Sequence, residues 1–172
     1  MRQYERHVTH VIVAHTRFRP FEKPQKIIDE YARQSKKDLR HALNVFGASL
    51  HPTQKNRARR YPYRFAPLVF STLEGAHETE NSCLTLHFNL CLGNLPLQLT
   101  TEEIEKKFVY AWHKKANQSS DIKIFEYKNH NTQTWLGYQL KEAQQRPNLA
   151  WDTNGIWDVE NCWIPHAALS ED

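Results

Sequence analysis

No stretch of about 18 apolar residues occurs anywhere in the 172-residue chain, so nothing in it reads as a membrane-spanning helix. The opening Met1-Arg2-Gln3-Tyr4-Glu5-Arg6 has no apolar signal region behind it, which argues against a secretory leader. Cysteine is scarce. Cys83, Cys91 and Cys162 are irregularly spaced and spell neither a zinc motif nor a disulfide framework. No internal repeat, low-complexity tract or G-x-x-x-x-G-K-[ST] phosphate loop is found, so any helicase working with this chain is a separate protein. These absences leave a cytoplasmic globular protein without structural disulfides. It is read as a single domain over residues 1–172, with 147–172 a C-terminal extension carrying Trp151, Trp157 and Trp163.

The composition is that of a folded domain: 40% hydrophobic and 24% charged residues. The net charge of +4 favours a polyanionic partner without naming one. Val8 to Ala14 reads as a first strand. Pro24 opens a helix to about Val45, with Ile27, Ile28, Tyr31, Leu39, Leu43 and Val45 as its apolar stripe. His51 to Pro67 is polar and interrupted by prolines, and reads as a long loop. Phe65 to Leu73 reads as a second strand, with Pro67 marking an edge or bulge.

Leu84 to Leu92 alternates strictly. Leu84, Leu86, Phe88, Leu90 and Leu92 share one face; Thr85, His87, Asn89 and Cys91 share the other. Thr100 and Glu103 have capping-box spacing ahead of a helix to about Lys115. Ile122 to Tyr127 is a further strand, Thr134 to Gln145 a short helix, and the tail irregular structure over the sheet. The order implies an α+β fold, an antiparallel sheet with helices packed on one face.

Three constellations stand out. His87 and Asn89 lie two apart on one strand and point the same way, a start for a divalent-ion site. A hairpin from Phe70 to Leu92 would bring Glu74 beside His87; Glu78, Glu80 and His77 in the connecting loop are weaker candidates. The alternative for this polar face is simple solvation. Second, Tyr138 and Lys141 fall at i and i+3, so a helix would put phenol and ammonium on one side, where the lysine could lower the phenol's pKa or neutralise phosphate. The alternative is a core tyrosine beside a surface lysine, as for Tyr110; Tyr127 ends a strand. Third, Lys55, Arg57, Arg59 and Arg60 run into Tyr61 and Tyr63, a basic–aromatic mixture suited to single-stranded nucleic acid. Arg33, Lys36, Lys37 and Arg40 give the first helix a basic character too. Both could equally be solvated surface.

In order, Leu73-Glu74-Gly75, Leu86-His87-Phe88-Asn89-Leu90, Ile122-Lys123-Ile124-Phe125-Glu126 and Gly137-Tyr138-Gln139-Leu140-Lys141 resemble the HUH-superfamily single-tyrosine Rep endonucleases that initiate rolling-circle replication. The resemblance covers about residues 8 to 145. Phe88 stands at the hydrophobic centre of the triplet, and Asn89 replaces the second histidine. It implies a ferredoxin-like, HUH-endonuclease-like sandwich and metal-dependent nicking and joining of single-stranded DNA or an origin hairpin. It further implies Mg²⁺ or Mn²⁺ on Glu74, His87 and Asn89, a 5′-phosphotyrosine on Tyr138, and assistance by Lys141. Asparagine is one methylene shorter than the glutamine of some viral relatives. A non-catalytic nucleic-acid-binding module therefore stays open, as do a transposase or relaxase, and an RNA endonuclease using His87 as acid–base.

Overall fold

The computed structural model describes residues 6–53, 55–76, 85–127, 155–156 and 162–163; the side chains of residues 55, 57, 58, 155 and 156 lie outside that description. The expected helix over residues 134–145 lies outside it as well, with Tyr138 and Lys141, and so do His77, Glu78 and Glu80.

Strand β1 (Val8–His15) leads into helix α1 (Gln25–Leu50). Two short helices follow, α2 (Lys55–Arg60) and α3 (Pro62–Phe65). Strands β2 (Leu68–Glu74) and β3 (His87–Gly93) come next, then helix α4 (Thr101–Val109), which continues as a π-helical segment (Tyr110–Lys115). Strand β4 (Ile122–Glu126) and the two-residue β5 (Gly155–Ile156) complete the sheet. The sheet order is β4-β1-β3-β2-β5, and every pairing is antiparallel. No described helix is long and apolar enough to cross a membrane.

The alternation read in the sequence decides the two faces. Ile12 and Ala14, Leu86, Phe88, Leu90 and Leu92, and Val69 and Leu73 turn to the helices and join Leu39, Ala42, Phe46, Ile104, Phe108 and Trp112 in the main core. Trp112 is fully buried. Its ring meets Phe88 edge-on at 5.9 Å, and its indole N–H donates to the His15 carbonyl at 2.9 Å. One helix-layer residue thereby holds the end of β1. The opposite face carries a smaller cluster of Val11, Phe70, Cys91 and Cys162, with Trp163 partly buried against it. The tail thus does reach the sheet, and through β5 it adds a short rung to β2 where only irregular structure was expected.

Several boundaries differ from the sequence expectation. Residues 51–67 are not one long loop. Lys55–Arg60 is helical, and Pro62 sits in the first turn of α3, where its fixed φ favours helix and its missing N–H costs nothing. Reading each proline as a breaker hid both helices. The second strand consequently starts at Leu68 rather than Phe65, and Pro67 precedes it. Helix α1 runs on to Leu50, carried by buried Phe46 and Leu50. Regular pairing in β3 begins at His87, although Leu86 still donates to the Phe18 carbonyl at 3.1 Å. The capping box stands as read: Thr100 accepts from the Glu103 N–H, and Glu103 accepts from the Thr100 N–H at 2.9 Å.

Candidate functional site

β1 and β2 both run antiparallel to β3. The end of β1, the end of β2 and the start of β3 therefore meet at one edge of the sheet. The register puts Glu74 opposite His87 and His87 opposite His15, so three adjacent strands contribute one side chain each to a single row. His87 Nε2 lies 3.2 Å from Glu74 Oε2, and both side chains are largely buried. The His15 and His87 rings stack at 5.1 Å with 24° between their planes. His15 Nδ1 lies 2.7 Å from the Thr85 hydroxyl, and its Nε2 is 3.8 Å from Asp121 Oδ2. After Glu74 the chain turns away through Gly75 at φ 84°, a left-handed conformation that glycine adopts without steric cost.

The next row inward, on the same face, is Thr72, Asn89, Val13 and Lys123. Asn89 is 2% exposed and Thr72 8%. Neither the Asn89 amide nitrogen nor the Thr72 hydroxyl has a hydrogen-bond partner among the described residues. The amide can be turned over, which would present its oxygen at the unpartnered position. Leaving such a group unsatisfied costs roughly 1–3 kcal/mol. Two orphans side by side next to a carboxylate–imidazole pair are what a site for a further polar group requires. The solvated-strand alternative fails for Asn89, which is buried.

Glu74, His87 and Asn89 are thus brought to one patch of sheet. Their donor set is a carboxylate oxygen, an imidazole nitrogen and an amide oxygen. With the amide turned over so that its oxygen faces the pair, this set could hold a hard or borderline divalent ion. Among the described residues, no group of three or more His, Cys, Asp or Glu side chains is arranged to hold a metal. The fit therefore depends on Asn89.

Burial holds the His15 imidazole below its ordinary pKa. His87 and Lys123 push in the same direction, while Asp121 opposes them. His15 was missed in the sequence because the first strand was ended one residue early. It shares the parity of Val11 and Val13, so extending that strand would have placed it on the polar face. Thr85 was on the polar face that the alternation gave, without a role assigned to it; Thr72, Asp121 and Lys123 were not singled out.

The basic run does not join this site. Lys55 and Arg57 lie in α2, Arg59 and Arg60 are exposed at its end, and Tyr61 and Tyr63 meet edge-on at 6.3 Å. Arg64 sits 5.6 Å above the Tyr63 ring. Asn94 donates to the Ala66 carbonyl at 2.9 Å and ties this region to the start of β2, where Leu68 pairs with Gly93. Glu74 is at the other end of that strand, roughly 20 Å away at ~3.4 Å per residue. On α1, Arg33 is engaged with Glu30. Tyr110 is exposed on the helix with Lys115 over its ring, not in the core.

Comparison with known proteins finds no matching family model, no matching curated protein and no matching solved structure.

Proposed function

We propose that this chain is a metal-dependent endonuclease of the HUH type, nicking and rejoining single-stranded DNA as in the initiation of rolling-circle replication. The observation that carries the proposal is the Glu74–His87 contact with the orphaned Asn89 beside it, on the polar face of β3. The element order β-α-β-β-α-β with strands arranged β4-β1-β3-β2 supports it, being the split β-α-β arrangement of ferredoxin-like sandwiches.

Glu74, His87 and Asn89 would hold Mg²⁺ or Mn²⁺, which when bound supplies Lewis-acid polarisation of the scissile phosphate. The Tyr138 phenolate oxygen forms a bond to phosphorus while the bond to the 3′ oxygen breaks. The leaving 3′ oxygen takes up a proton equivalent to the one lost by the phenol, giving a 5′-phosphotyrosine and a free 3′-hydroxyl, and the reverse attack rejoins the strand. Lys141 would offset phosphate charge during the attack. Trp112, through its bond to the His15 carbonyl, fixes the strand end on which the row is built. The partners are a single strand or origin hairpin and, for unwinding, a separate helicase.

The test is incubation of wild type and Tyr138→Phe with labelled single-stranded DNA and Mn²⁺. Wild type should form a covalent adduct and a nick. Tyr138→Phe should fold and bind but form neither. Nicking by Tyr138→Phe at the wild-type rate would remove the phenol from the mechanism.

The stacked His15 and His87 favour a second reading, a metal-independent RNA endonuclease using the two imidazoles for acid–base work. Cleavage of RNA in the presence of chelator, with no DNA adduct, would select it.

A further inference from the structure

The segment that leaves β1 at the site reads Thr16-Arg17-Phe18-Arg19-Pro20-Phe21-Glu22-Lys23-Pro24-Gln25-Lys26. It carries four cations against one acid, interleaved with two phenylalanines. It borders the Glu74–His87–His15 row directly. Thr16 N–H donates to the Leu86 carbonyl at 2.8 Å, and Leu86 N–H donates back to the Phe18 carbonyl at 3.1 Å, so the segment extends the sheet one step beyond His15 and His87.

The backbone here is held in place. Arg17 N–H donates to Gln118 Oε1 at 2.9 Å, and Phe18 N–H to the Thr16 hydroxyl at 3.1 Å. Phe18 stacks on Tyr31 at 4.8 Å. Pro20 is buried and accepts from the Lys23 N–H at 3.0 Å across a turn in which Glu22 has φ 56°. Gln25 reaches the Ala76 carbonyl at 3.3 Å, which closes the segment onto the chain just past Glu74.

On this fixed backbone the side chains point outward. Arg17, Arg19, Lys23 and Lys26 are exposed and form no ion pair among the described residues; Arg17 lies over the Phe18 ring at 5.1 Å. Phe21 is 51% exposed, which leaves its ring face open to a stacking partner. Lys123 is exposed on β4 in the same cross-strand row as Asn89, and Asp121, exposed two residues before it, lies beside His15.

We infer that the Arg17–Lys26 segment is the single-strand-binding edge of the site, with Arg17, Arg19, Lys23 and Lys123 taking phosphates and Phe21 stacking on a base. Cations alternating with an exposed ring suit a single strand, whose phosphates need neutralising and whose bases all offer a face to stack on. A pre-ordered loop also spares the bound state the entropy of arranging it. The inference rests on the nucleic-acid reading above but not on the chemistry of cleavage.

The experiment is fluorescence anisotropy of a short labelled oligothymidylate titrated with the full chain, without added metal, over a series of salt concentrations. Arg17→Gln/Arg19→Gln/Lys23→Gln should weaken binding and flatten the log–log salt slope by about 2, at ~0.7 per lost contact. Arg17→Lys/Arg19→Lys should keep the wild-type slope, because charge is retained. Phe21→Ala should bind about ten-fold more weakly with the slope unchanged. Wild-type slopes in the triple variant would overturn the inference, as would loss of binding in Arg59→Gln/Arg60→Gln alone. Failure of the wild-type protein to bind any single strand would overturn this inference and the nuclease reading together. Loop-dependent binding by a protein that forms no adduct would remove the nicking reading and leave this one standing.

Discussion

Gly93 ends β3 opposite Val8, where the β1 register shifts between Val8 and His10. A β-carbon there would lie 2.1 Å from the His7 carbonyl oxygen and 2.9 Å from its carbon. These are backbone atoms and cannot rotate aside. Gly93→Ala is expected to lower stability by about 2 kcal/mol or more, read as a lower urea midpoint with an unchanged slope. At the same scale, the pair of orphans at Thr72 and Asn89 is a cost the fold carries without repaying it internally. Among the described residues this cost lies beside Glu74 and His87, which is why the functional reading is placed there.

Among the elements, α4 is the one whose start is written most plainly. Thr100 and Glu103 satisfy each other's backbone N–H groups, and Glu102 and Glu103 lie in the first turn, favourable against the helix dipole. Thr100→Ala removes one arm and should cost about 1 kcal/mol, seen as a fall in thermal midpoint, while Thr100→Ser should cost little. This helix also carries Ile104 and Phe108 into the core and leads to Trp112. Phe46 and Phe108 meet edge-on at 5.5 Å, so α1 and α4 share one aromatic contact. The segment between α1 and β2 was misjudged at this scale. Basic side chains and prolines suggested a loop, yet arginine, lysine and alanine are sound helix formers and Pro62 sits where a helix accepts it.

For the whole molecule, acid sensitivity follows from the histidines. His7, His10 and His15 all have pKa values lowered from the ordinary 6.5, each chiefly by burial. As pH falls below about 6.5, the unfolded chain takes up these protons before the folded one does. Their contribution is therefore fully present above that pH and is lost as pH falls from 6.5 towards the lower folded values. The chain already carries +4 with its ten histidines neutral, so added charge acts in the same direction. Urea midpoints measured across the range from about pH 8 to about pH 5 should decline below 6.5. His10→Gln should make that decline shallower; in the protein His10 Nε2 lies 3.2 Å from the Thr101 hydroxyl, and Glu126 partly opposes the effect of burial.

Local sequence determined what depends on neighbours along the chain. Periodicity of two gave β3 and its two faces, an apolar stripe at helical spacing gave α1, and the capping box gave the start of α4. It also placed His87 and Asn89 on one side of β3 and a carboxylate at the end of β2. Tertiary structure decided what depends on register. Pairing β1 with β3 stacked His15 on His87, and burial turned Asn89 from a surface amide into an orphan. The path of β2 put the Lys55–Arg60 run at the far end of the sheet and left the Arg17–Lys26 segment beside the site. The physical reason is that cross-strand neighbours are fixed by backbone hydrogen bonds between segments tens of residues apart, and no local pattern encodes which residue of one strand will face which residue of another.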